Sequence, residues 1–331
     1  MKAILCTAYG PPEVLELREI EKPIPRNNEV LIRIRATTVT AADCEIRRFE
    51  FPAWIWVPLR LWFGLRRPRR PVLGQELAGD VESVGKDVRS FVRADRVFAS
   101  SGFGLGAHSE YICLGEQPKD GAIAKMPANL SYEEAATIPY GGREALQFLR
   151  KGNILSGQKV LINGAGGSFG TFAVQLAKYF GADVTAVDST GKLDMLRSIG
   201  ADHVIDYTQQ SFTSSSETYD VIFDVLGKSP FLPTIKSLGQ NGRYLLSNPR
   251  LSQLVRGLWT SMTTSKKVIF GAASGTSKDL AYLGDLVAAG KVQSIIDRSY
   301  PLERMAEAHR YVETGQKKGN VVITVAHDRE V

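Results

Sequence analysis

The run Val160-Leu161-Ile162-Asn163 passes directly into the glycine cluster Gly164-Ala165-Gly166-Gly167-Ser168-Phe169-Gly170. The chemistry such a turn offers is phosphate binding. One glycine lets the chain turn tightly, one lets the backbone approach a pyrophosphate, and one lets a following helix pack close to the strand. The next residues predict that helix: Phe169, Phe172, Ala173, Leu176, Ala177 and Phe180 recur at helical spacing and make one continuous apolar face. Its N-terminus would offer N–H groups and a positive dipole end to phosphates. The spacing is GxGGxxG rather than the plain fingerprint, so the reading rests equally on the flanking elements. A glycine-rich turn in some other α/β protein is the competing reading. A second strand, Asp183 to Val187, leads into Asp188, 18 residues past Gly170. An acid at that distance can hydrogen-bond an adenosine ribose 2′-hydroxyl. Asp188 would repel a 2′-phosphate and favour NADH. Ser189, Thr190 and Lys192 could hold that phosphate and favour NADPH, unless Lys192 is a solvated residue of the next helix. The sequence leaves both nucleotides open.

Other chemistry is largely excluded. The cysteines Cys6, Cys44 and Cys113 are odd in number and far apart, which argues against a disulfide framework, and no CxxC pair offers a structural zinc lobe. His108, His203, His309 and His327 are scattered. Net charge is +6, and much of it is local: seven arginines and two glutamates between Glu45 and Arg70 give that stretch +5. Interleaved are Phe49, Phe51, Trp54, Trp56, Trp62 and Phe63. Such a cluster can meet a membrane surface or a nucleic acid. The plainer reading is a solvated loop whose aromatics cap a neighbouring pocket, and one local cluster is too little to predict a nucleic-acid partner.

The elements that must position the glycine loop fall into two regions, as 331 residues suggest. The first part reads as all-β, with short strands at Glu29–Ala36, Gly79–Gly85, Asp95–Ala99 and Ala107–Cys113. The character changes near Pro127. Ser131 and Glu134 have capping-box spacing and start a helix. From Lys159 strands and helices alternate, with strands at Val160–Asn163, Asp183–Val187, Val204–Asp206, Val221–Asp224, Arg243–Ser247 and Lys267–Gly271, which predicts a parallel sheet flanked by helices. Arg250, Leu251, Leu254, Val255, Leu258, Trp259 and Met262 fit an amphipathic helix, either beside a cleft or at a dimer contact. Helices at Leu280–Ala289 and Arg304–Glu313 precede a last strand, Asn320–Val325, placed to rejoin the N-terminal β region. The N-terminus lacks a signal-peptide pattern and no apolar run is long enough to span a bilayer, which predicts a cytoplasmic protein.

In order along the chain, Gly74-Gln75-Glu76-Leu77-Ala78-Gly79, Val84 to Val88, Asp95-Arg96-Val97, Ala107 to Tyr111, Asn163 to Gly170, Gly200 to Tyr207 and Lys318 to Ile323 resemble the medium-chain dehydrogenase/reductase superfamily, in its zinc-independent quinone oxidoreductase-like branch. The resemblance covers essentially the whole chain. It implies an α/β protein: a GroES-like β-rich catalytic domain from residues 1–127 and 274–331, and a Rossmann doubly wound parallel-sheet domain from residues 128–273. Homodimers are common in the family. Zinc-dependent relatives carry a histidine where this chain has Gln75 and a cysteine where it has Thr40, and the third ligand region, Ile138 to Gly142, has neither. Cys44 is out of register. No zinc site is therefore expected. Cofactor contacts implied by the resemblance extend to Tyr207, to Val225 and Leu226, to Ser247, to Phe270 and Gly271, and to Lys318 and Asn320, each of which could equally be ordinary packing.

Without a Lewis acid, substrates that accept hydride readily come forward: quinones and α,β-unsaturated carbonyls. Alignment of the nicotinamide with the acceptor then does much of the catalysis. A proton must reach the product. Thr40, Asp43 and Tyr140, with Tyr111 behind them, are candidate donors, and solvent is an alternative. The rival function is a cofactor-binding adaptor at a membrane surface, with the segment 47–70 as its anchor.

Overall fold

The computed structural model describes residues 1–271 and 275–327. The chain divides into two compact units: residues 1–140, 275–288 and 296–331, and residues 141–274 and 289–295.

The first unit contains β1 (Lys2–Cys6), β2 (Leu15–Glu19), β3 (Glu29–Val39), α1 (Ala41–Arg48), α2 (Ala53–Phe63), β4 (Glu76–Val84), β5 (Arg96–Ser100), β6 (Tyr111–Gly115), β7 (Ala122–Lys125) and α3 (Tyr132–Ala136). The second contains α4 (Gly141–Lys151), β8 (Lys159–Asn163), α5 (Ser168–Tyr179), β9 (Asp183–Asp188), α6 (Leu193–Ser198), β10 (His203–Asp206), β11 (Tyr219–Asp224), α7 (Phe231–Lys236), β12 (Leu238–Leu246), α8 (Leu251–Thr263) and β13 (Lys267–Phe270). The chain then returns to the first unit with α9 (Ser277–Ala288), β14 (Ile296–Pro301), α10 (Met305–Glu313) and β15 (Asn320–Thr324).

β3 organises the first unit. It pairs antiparallel with β4, β6 and β15, and two register shifts against β4 bend it. Ile32 and Ile34 on β3 pack with Leu77, Val97, Ile123 and Ile323 in one buried cluster. The last strand does rejoin the N-terminal region, with Val321 opposite Val39 and Thr324 opposite Ala36. In the second unit the six strands are parallel in the order β10-β9-β8-β11-β12-β13. This is the doubly wound sheet expected of the β–α alternation.

Three differences from the sequence reading have physical causes. Residues 128–140 lie in the first unit, because α3, started by the Ser131–Glu134 capping box, packs on β3 and β4. The expected boundary at 273/274 falls outside the described residues. From Gly170 to Ala177 the helix α5 is buried on every side rather than along one face. Val174, Thr171 and Gln175 are as inaccessible as Phe172 and Leu176, because α4 covers the side turned from the sheet and Gln175 exchanges hydrogen bonds with the backbone of Gln293. The segment after Glu45 is two helices, α1 and α2, rather than a loop. Phe49, in the left-handed region at φ 56°, closes the first, and Pro52 opens the second.

Candidate active site

Every strand of the second unit ends on the same edge of its sheet, and the strand order reverses between β8 and β11. Ligands of open α/β sheets bind in the crevice outside such a reversal. The glycine loop sits there. Gly164 follows β8 at φ +85°, a conformation that side chains rarely adopt, and its N–H and that of Ala165 both donate to the Val187 carbonyl, at 3.0 and 3.1 Å. A methyl group on Gly166 would fall 2.4 Å from Lys192 Cδ, and one on Gly170 would fall 2.3 Å from the Gly164 carbonyl oxygen. Gly170 lets α5 close on the loop, and Gly166 lets Lys192 and Asp188 close on it. Gly167 differs: a methyl group there meets nothing within 4 Å. It is the N-cap of α5, at φ −89° and ψ 179°, with no side-chain cap. Ser168 and Phe169 open the first turn of α5, whose N–H donors point toward its N-terminal end. The space and the donors fit a pyrophosphate.

Asp188 closes β9. Its Oδ2 accepts the Gly166 N–H at 2.7 Å, its Oδ1 accepts the Ser189 N–H at 2.9 Å, and Lys192 Nζ stands 3.2 Å from Oδ1. Asp188 is 6% and Lys192 7% exposed. Lys192 is therefore not a solvated residue but half of a buried ion pair. Thr190 is exposed, and its hydroxyl donates to Asp206 at the end of β10. That bond and a second from Thr208 hold the Asp206 carboxyl below its ordinary range. Tyr207 is exposed, with its N–H on the Asp188 carbonyl.

The resemblance places Asp224 with Val225 and Leu226 at the edge of the cofactor crevice, and its role there as a loop anchor comes only from the structure. This fully buried carboxylate accepts from Asn163 Nδ2 (3.1 Å), Gly227 N (3.1 Å), Ser229 N (3.0 Å) and Tyr244 Oη (3.1 Å). It fixes the loop that carries Val225, which is buried, and Leu226, which is exposed. The available signal was an acid ending an apolar strand. Ser247 Oγ donates to the Val225 carbonyl at 2.5 Å, tying the end of β12 to the same loop. Phe270 is half-buried, and Gly271 at φ +127° is the last described residue before 272.

The other candidates lie in the first unit. Thr40 caps α1: its hydroxyl accepts the Asp43 N–H at 3.2 Å and donates to Asp43 Oδ2 at 2.7 Å, while the Thr40 N–H donates to the same oxygen at 2.8 Å. Both residues are buried. Nearby in the fold, Glu76 accepts from the Thr38 hydroxyl and from the Tyr140 N–H (2.8 Å). Burial pushes Glu76 up to about 7. Tyr140 itself is half-buried. Tyr111 stands apart from these, with Lys22 Nζ 3.9 Å over its ring. Lys318 is exposed and Asn320 buried at the start of β15. Cys44 Sγ lies 3.3 Å from His309 Nδ1, but this is not a nucleophile and base. Burial pushes the thiol up to about 12 and holds both His309 and its neighbour His108 below the ordinary imidazole range, so all three stay neutral. Gln75 Nε2 turns to the Gly102 carbonyl at 3.5 Å. Among the described residues no group of His, Cys, Asp and Glu could hold a metal ion.

Family models match two stretches: an alcohol dehydrogenase GroES-like domain over residues 26–128 and a zinc-binding dehydrogenase over residues 199–323. The chain is 31% identical to the 2-methylene-furan-3-one reductase of Solanum lycopersicum, over 98% of this chain and 79% of that protein. The chain belongs to the medium-chain dehydrogenase/reductase superfamily, in its zinc-independent quinone oxidoreductase-like branch. It is also 30% identical to the chloroplastic NADPH-dependent alkenal/one oxidoreductase of Arabidopsis thaliana, covering 98% of this chain and 79% of that one. The solved quinone oxidoreductase of Coxiella burnetii superposes with a TM-score of 0.87 at 28% identity, covering 98% and 99% of the two chains. Within this superfamily the residues at the three zinc-ligand positions are a helix cap (Thr40), an amide on a carbonyl (Gln75) and the non-ligating stretch Ile138 to Gly142.

Proposed function

We propose that the protein is a zinc-independent reductase that uses NADPH in preference to NADH to reduce quinones or α,β-unsaturated carbonyls. The observation that carries the nucleotide preference is the buried Asp188–Lys192 pair. An acid free to accept a ribose hydroxyl repels a 2′-phosphate. This acid already accepts two N–H donors and faces an ammonium, so its charge is compensated. The Ser189 hydroxyl and Lys192 then favour a phosphate beside them.

In this reading the bound nucleotide supplies the hydride. The first turn of α5 holds the pyrophosphate, Tyr207 and the Ser189–Lys192 segment border the adenosine end, and Val225, Leu226, Ser247, Phe270 and Gly271 border the rest of the crevice. Lys318 and Asn320 are assigned to the nicotinamide half. Thr40 and Asp43 satisfy each other and act as the cap of α1. Tyr140 is assigned as the proton donor of the three, because it is half-buried while Thr40 and Asp43 are committed to each other. Substrates that accept hydride without a metal suit a centre whose ligand positions carry Thr40 and Gln75. The enzyme works in the cytoplasm as a homodimer, with the exposed Val255, Leu258 and Trp259 of α8 as its contact. No helix of the described residues is long and apolar enough to cross a membrane.

The test is nucleotide oxidation with a panel of quinones and enones on metal-stripped protein. We expect turnover, with a higher kcat/KM for NADPH. Lys192→Gln should lower kcat/KM for NADPH by roughly ten- to a hundredfold, the loss of one charge-assisted contact, and spare NADH. A wild-type preference for NADH would overturn the assignment.

A further inference from the structure

The helix α2 has no polar face. Arg60 is its one charged residue, and helices apolar all round belong in a core or at a lipid boundary. This one lies at the surface. Its inner side is anchored: Leu59 and Phe63 pack on the core of the first unit, and the rings of Phe51 and Phe63 stack at 6.1 Å. The Arg60 guanidinium lies over the rings of Phe49, Tyr9 and Trp56 at 3.9, 4.4 and 4.7 Å. The single charge therefore belongs to the anchor and gives the outer face nothing polar. That face is Val57, Leu61 and Trp62, continued by Leu65, with exposures of 61%, 56%, 64% and 67%.

Cationic residues follow at once. Arg47 and Arg48, earlier in the cluster, pair with Glu313 and Glu50. Among the described residues no ion pair reaches Arg66, Arg67 or Arg69, and all three are exposed. With Arg18 and Leu65 they line a groove of about 940 Å³. An exposed apolar patch marks a contact surface, and unpaired arginines beside it select an anionic one. A two-fold contact between copies would bring this cationic cluster against itself. A nucleic acid would use the arginines and leave the apolar face in water.

We propose that α2 and the arginines after it dock on an anionic lipid surface. Leu61 and Trp62 enter the headgroup boundary and Arg66, Arg67 and Arg69 meet the lipid phosphates. This goes beyond the reductase reading and does not depend on it.

The experiment is co-sedimentation of the full chain with vesicles of equal parts phosphatidylglycerol and phosphatidylcholine, against phosphatidylcholine alone. The protein should pellet with the mixed vesicles at low salt, release as salt rises, and bind neutral vesicles weakly. R66Q/R67Q/R69Q should bind about a hundredfold more weakly, since each charge near the surface is worth about fivefold. L61S/W62S should lose the salt-resistant part of the binding. Both variants change only exposed side chains, so each should melt like the wild type. No pelleting with mixed vesicles at low salt would overturn the proposal. So would equal binding by all three proteins, or a dimer in solution that Trp62→Ser dissolves.

Discussion

Replacing Gly167 with tryptophan tests the dinucleotide site without removing the fold. The backbone at Gly167 is extended, which any residue adopts, and a side chain there starts into open space. The structural cost is the exchange of a neutral N-cap for a poor one, about 1 kcal/mol. In a unit of this size that lowers Tm by roughly 2–4 °C. The functional cost is far larger, because an indole at the cap occupies the place where a pyrophosphate would meet the first turn of α5. Losing two charge-assisted hydrogen bonds costs roughly 3–6 kcal/mol, or about a hundred- to ten-thousandfold in Kd. Calorimetric titration with NADPH and a melting curve on the same sample read both effects. The comparison variant is Gly170→Ala, whose methyl would sit 2.3 Å from the Gly164 carbonyl oxygen and should cost stability before binding. A Gly167→Trp protein that melts normally and binds NADPH like the wild type would refute the site. One that fails to fold would refute the open space at the cap.

Three further predictions address the first unit. Glu76 stands near 7 rather than 4.5 because it is buried, so the fold favours its protonated form. Its contribution is fully present below 4.5 and is lost as pH rises through about 7, a difference on the order of 3 kcal/mol. Denaturation at pH 5 and pH 8 should show that loss in the wild type and not in Glu76→Gln, and equal slopes would refute it. Thr40→Ala removes a capping box and should cost about 1–2 kcal/mol of stability while sparing turnover in the surviving fraction. Tyr140→Phe should do the reverse, lowering kcat by about a hundredfold or more with Tm unchanged. If Thr40→Ala kept its Tm and lost kcat, the two roles would be exchanged.

How far the sequence could be read depended on periodicity. The strands of both units show in runs such as Val160–Asn163 and Glu29–Ala36, because a half-buried or buried strand needs apolar residues at fixed spacing. The glycine loop shows because close approach between Gly170 and the Gly164 carbonyl leaves room for no other residue. The helix α2 did not show. It is apolar on all sides and interrupted by Pro58, so no 3.6-residue alternation marks it, and its surroundings are ring contacts with Tyr9 and Phe49 that local sequence does not carry. Lys192 was ambiguous for a related reason. A lysine four residues after an aspartate is a common solvated pair, and its burial is imposed by Gly166, which has no side chain to hold it off.

The same contact links two features that look separate in the chain. Gly166 must be glycine because Lys192 Cδ occupies the place of its side chain, and Lys192 is held there by Asp188, which also accepts the Gly166 N–H. Loop, acid and lysine form one closed set. A larger residue at 166 would push Lys192 from Asp188 and leave a buried carboxylate with one fewer partner, at the edge where a 2′-phosphate would approach. The glycine that seats Lys192 against Asp188 thus also governs the charge at the edge where a 2′-phosphate would approach. Nucleotide preference should therefore respond to changes at 166 as well as at 188 and 192.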